Sequence, residues 1–71
     1  MSVKQNKSDM FSMGMRVIVT KPTQADIKEG IKGDMIGHVD QVTPSFIHVA
    51  FESSNGRRYV YPFFPHQIRP F

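Results

Sequence analysis

Cysteine and tryptophan are both missing from this chain. Without cysteine there are no disulfides and no thiolate metal sites. No stretch approaches the roughly 18 consecutive apolar residues of a membrane span, so no membrane partner is expected. The opening residues, MSVKQNKSDMF, lack the apolar core of a secretory signal, which makes the expected location cytoplasmic. Charge of one sign is only slightly in excess. Nine Lys and Arg face six Asp and Glu, a formal net charge of +3 that permits attraction to polyanions without demanding it. Length is scarce as well. Seventy-one residues suffice for one domain, and a chain of this size buries only about 60% of the surface exposed when unfolded. Deep clefts are therefore not expected, and neither is a cofactor.

What is present is enough apolar material to fold, 39% hydrophobic against 21% charged residues. Residues 1–12 are mostly polar and show no apolar period, so a disordered, flexible tail is expected there, ahead of a domain over residues 13–71. From Gly14 onward, short runs of β-branched and aromatic residues alternate with Gly, Pro, Asn and Ser, the pattern of strands and turns. The first run, Met15 to Thr20, puts Val17 and Val19 on one face. The second, Met35 to Val42, contains Gly37 and has Val39 and Val42 on opposite parities, which predicts a bulge or strong bend. Phe46 to Glu52 and Arg57 to Tyr61 form a hairpin pair around Asn55-Gly56, with Ile47, Val49 and Phe51 facing the core. Pro62 and Pro65 favour a compact turn or 3₁₀ step, and Ile68 to Phe71 reads as a closing strand. In the long connection after the first run, Thr23 and Asp26 form a capping-box pattern for a short helix over Ala25 to Glu29, stopped by Gly30. Such a loop is either functional or a lid over one end of the core. The expected core is Val17, Val19, Ile36, Val39, Ile47, Val49, Phe51, Val60 and Ile68.

Strand, long loop, three short strands, a proline-marked 3₁₀ step and a last short strand is an order that resembles the Src-homology-3-like small barrel. The resemblance covers Met13 to Phe71. Gly14 with Val17 and Val19, then Lys32-Gly33, Gly37 and Val39, then Ile47 and Val49, is similar to the KOW-type pattern of ribosomal proteins and transcription elongation factors. In that family a glycine sits where the chain turns tightly into the second strand, and Gly33 and Gly37 are the candidates. The resemblance implies an all-β, SH3-like five-stranded barrel acting as a non-enzymatic module that binds nucleic acid or a component of the transcription or translation machinery. A chain this small also suits an accessory protein of the phage type, an association with size alone. The absence of tryptophan and of a clear acidic loop argues against polyproline recognition.

No arrangement of nucleophile and base, or of paired carboxylates, points to catalysis. His38 and His48 flank Asp40 on neighbouring strands and could share a metal, but strand histidines bonded to a carboxylate are the commoner case, and no metal is expected. The basic residues carry more. Arg57 and Arg58 follow the hairpin turn, while Lys21, Lys28 and Lys32 crowd the long loop. Phosphate contacts from these, with bases stacked on Tyr59, Tyr61 or Phe64, are a small-barrel route to single-stranded nucleic acid. Alternatively the arginines solubilise the hairpin tip and the aromatics fill the core. The segment YPFFPHQIRPF is too rich in aromatics to bury them all, so Phe63, Phe64, His66 and Phe71 form an alternative surface for a protein partner.

Overall fold

The computed structural model of the chain describes residues 10–53 and 55–71. Five strands are present: β1 (Arg16–Val19), β2 (Ile36–Val42), β3 (Ile47–Glu52), β4 (Arg58–Phe63) and β5 (Ile68–Pro70). A short helix, α1 (Gln24–Lys28), lies between β1 and β2, and a 3₁₀ turn (Pro65–Gln67) between β4 and β5. The strands form a single antiparallel sheet in the order β4-β3-β2-β1-β5, so the protein is all-β in class. No ladder joins β4 to β5 among the described residues, and the hydrogen-bonded closure of a barrel is not made. β5 has three residues, all matched to β1, and its other edge has no partner strand among the described residues.

The register sorts the side chains, because directly opposed residues share a face. Val17 lies opposite Gly37, Val39 opposite Val49, Val49 opposite Tyr61, Ile47 opposite Phe63 and Val19 opposite Ile68. These define the inner face. Its core cluster is Phe11, Val17, Val19, Ile31, Val39, Ile47, Val49, Phe51, Phe63 and Ile68. The expected bulge is found as a register shift between Val39 and Gln41. It resolves the parity conflict, since the extra residue lets Val42 pair with Ile47 and pack on the same core as Val39.

Two expected core residues are corrected. Ile36 is 46% exposed and Val60 is 44% exposed. Ile36 lies opposite Ile18 and Val60 opposite Ala50, on the outer face with Arg16, His38 and His48. The Tyr59-Val60-Tyr61 run is apolar throughout, so alternation alone did not say which parity faces inward. Pairing with Phe51 and Val49 turns the two tyrosines in and the valine out. Phe11 is corrected in the other direction: it falls within the segment read as a tail, yet is buried in the core at 6% exposure. Residues 1–9 of that expected tail lie outside the described residues.

Pro62 does not end β4, which continues to Phe63. An edge strand has one row of backbone groups with no partner strand, and a proline's missing N–H is tolerated there. The helix carries the predicted capping box, with Asp26 N donating to Thr23 Oγ1 and Thr23 N to Asp26 Oδ2. It ends in a Schellman motif: Gly30, at φ +92°, donates to Ile27 O, and Ile31 N donates to Asp26 O. Ile31 is thereby turned into the core, where it is fully buried.

Candidate binding surface

The expected cations are all on the surface, in separate places. Arg57 and Arg58 stand at the β3–β4 turn, and Lys21, Lys28 and Lys32 in the β1–β2 connection, all exposed. Arg16 and Arg69 add two exposed guanidinium groups on β1 and β5. Arg58 reaches across the sheet to Asp40, with Nη2 2.7 Å from Oδ1, the one ion pair among the described residues. Both partners are solvated, so the pair is worth only about 0.2–1 kcal/mol and leaves Arg58 available to a stronger anion. Asp40 is thus engaged with an arginine. Among the described residues no group of three or more His, Cys, Asp or Glu side chains is placed to hold a metal ion.

The two tyrosines differ. Tyr59 is 38% exposed, its ring 5.5 Å from that of Phe51. Tyr61 is half-buried, with its ring 5.2 Å from Phe63 and its hydroxyl donating to Asp26 Oδ1 at 2.6 Å. Asp26 is the centre of a polar node. Its Oδ2 accepts from Thr23 N at 2.9 Å and from Gln67 Nε2 at 2.9 Å. Gln67, buried at 3% exposure, also donates from Nε2 to Lys21 O at 3.0 Å and accepts at Oε1 from Phe64 N at 2.9 Å. The node fastens α1 to β4 and to the 3₁₀ turn. Every polar atom in it has a partner, as a buried network requires.

Burial alone pushes the Asp26 carboxyl up, but the hydrogen bonds from Tyr61, Thr23 and Gln67 outweigh it and hold the group below its ordinary value. Tyr61 is pushed up to about 12, first by its bond to Asp26, then by burial and the charges of Asp26 and Glu29. The two ends of the pH scale follow by linkage. The Tyr61 contribution to stability is complete below its unfolded value of 10.0 and is lost as pH rises from there to about 12. That of Asp26 is complete above 3.8 and is lost as pH falls through its depressed folded value. Urea midpoints across the alkaline range should fall for the wild type and much less for Tyr61→Phe. Equal alkaline losses in the two proteins would show that this hydroxyl is not the group responsible.

The aromatic residues at the C-terminal end divide into buried and exposed. Phe63 is fully buried, so it is removed from the expected docking surface and belongs to the core. The physical reason is parity, which it shares with Tyr59 and Tyr61. Phe64 is 48% and Phe71 64% exposed. Phe64 has two aromatic neighbours: Phe46, with centroids 5.0 Å apart, and His66, 5.8 Å away with planes 9° apart. Phe46 itself is 36% exposed. Its outward parity was legible in the run FIHVAFE, yet its meeting with Phe64 depends on the β3–β4 register. The role of Gln67 had no local signal, because its partners lie 41 and 46 positions away.

No family model, no curated protein and no solved structure matches the chain. No helix among the described residues is long and apolar enough to cross a membrane.

Proposed function

We propose that this chain is a non-enzymatic binding module of the Src-homology-3-like kind, and that its partner is nucleic acid or a nucleic-acid-handling complex of transcription or translation. The strand order, the long β1–β2 connection and the 3₁₀ step before β5 support that fold assignment. The observation that carries the binding reading is the set of exposed cations. Arg16, Lys21, Lys28, Lys32, Arg57 and Arg69 have no carboxylate partner among the described residues, so phosphate contacts would displace only water and mobile ions. Among the described residues the one buried carboxylate, Asp26, has both oxygens engaged in holding the fold, which suits a scaffold rather than an acid or base. Binding of labelled single-stranded DNA and RNA is expected at low salt. Log K should fall with log salt at a slope of about 0.7–0.9 per phosphate contact. Absence of binding by either strand type at low salt overturns the reading.

A second reading, a protein-docking module, is favoured by the exposed rings of Phe64 and Phe71. Capture of partners from the native cell, with and without nuclease, separates the two. Partners that survive nuclease treatment support docking.

A further inference from the structure

Three features meet at one end of the sheet, two of them from the β1–β2 connection and one from aromatic residues in the second half of the chain. The first is the run of rings Phe46, Phe64 and His66, with Phe64 and His66 nearly parallel at 9°. The second is Lys21, whose backbone is bonded to the 3₁₀ turn twice: Lys21 N donates to Gln67 O at 3.1 Å, and Gln67 Nε2 donates to Lys21 O at 3.0 Å. The third is α1, tied to the same glutamine through Asp26. Gln67 also holds the backbone of Phe64 from both sides. Its Oε1 accepts from Phe64 N, and its N donates to Phe64 O at 3.0 Å. A single buried side chain thus fixes an exposed ring and two lysine-bearing segments relative to one another.

We propose that this end of the sheet is a stacking site for an unpaired base of single-stranded nucleic acid. Phe64, backed by His66 and Phe46, presents the ring, and Lys21 takes a flanking phosphate. The proposal rests on the nucleic-acid reading and relocates its contacts from the Arg57-Arg58 hairpin tip to the β4–β5 turn. Exposed aromatic faces on a basic surface suit bases because every base has a flat π-face and carries its own phosphate. Lys21 supplies the charge complementarity that a purely apolar partner would not use. Gln67 is a positioning residue, and its hydrogen bonds reduce the ordering that binding would otherwise require.

The test is fluorescence anisotropy with labelled oligothymidylate and oligouridylate across a salt series. The variants are Phe46→Ala/Phe64→Ala, Lys21→Ala and Arg57→Ala/Arg58→Ala. All these side chains are exposed, and circular dichroism checks that each variant folds. Loss of the rings should weaken binding roughly tenfold with the salt slope unchanged. Loss of Lys21 should flatten the slope by about one unit. Loss of the arginines should leave affinity near that of the wild type. In Phe64→Trp, which introduces the chain's first indole, oligothymidylate should quench the emission while affinity is retained. If the wild type binds but the arginine variant is the one that weakens, or the indole is not quenched, the site is wrong and the nucleic-acid reading stands. If the wild type binds neither oligonucleotide, the site and that reading both fall, and the rings pass to a protein partner.

Discussion

Phe63→Ala is expected to leave the chain largely unfolded. The ring is fully buried among the inner-face residues, opposite Ile47, with its centroid 6.0 Å from Phe51 and 5.2 Å from Tyr61. Truncating a buried phenylalanine costs about 3–5 kcal/mol, the lost transfer energy plus the cavity left behind. Marginal stability at 71 residues is about 4–11 kcal/mol, and small domains cluster at the low end. The substitution therefore removes most of what there is. The neighbouring Phe64→Ala, at a ring 48% exposed, should shift the urea midpoint far less. If the two substitutions cost the same, the assignment of one ring to the core and the other to the surface is wrong.

Gly37→Val should be at least as damaging, through overlap rather than a void. A Cβ built at Gly37 comes within 2.6 Å of Ala50 O, 2.7 Å of Val49 Cγ1 and 2.9 Å of Phe51 Cδ1. Ala50 O is backbone, and Ala50 is paired with His38 in the β2–β3 ladder. Relief would require the two central strands to separate. Overpacking typically costs about 1–3 kcal/mol, and backbone that cannot yield pushes the cost to the upper end or beyond. Even Gly37→Ala should be clearly destabilised. Gly33 is the control, because a Cβ there meets nothing within 4 Å. Gly33→Ala should be neutral, or stabilising by about 0.4–1 kcal/mol through the unfolded chain. Thermal melts of the pair measure this directly, and similar melting temperatures would remove the close-approach explanation of Gly37.

Both predictions separate residues that sequence analysis treated alike. Gly33 and Gly37 stood together as candidates for one tight turn into the second strand, and only the distance to β3 separates them. Phe63 and Phe64 stood together as surface aromatics. A hairpin register sets which of two adjacent rings points inward, and that register depends on β3 lying beside β4 along its whole length.

Local chemistry in the chain was enough to determine the all-β class, the position of each strand to within about two residues, the capped helix with its glycine stop, the bulge in β2 and the 3₁₀ step. Each rests on interactions between residues close in sequence: alternation, a hydroxyl three residues before a carboxylate, a glycine at positive φ, a proline. The tertiary structure alone decided the rest. Burial of Phe11 and Ile31, exposure of Ile36 and Val60, and the seating of Pro62 within an edge strand follow from which strands are neighbours. The placing of Phe64 beside Lys21 and α1 is held by Gln67, through bonds to Lys21 and Asp26 that span more than 40 positions. No periodicity along the chain encodes such a bond, because its partners are neighbours only through the pairing of β5 with β1 and the contact of the 3₁₀ turn with the β1–β2 connection.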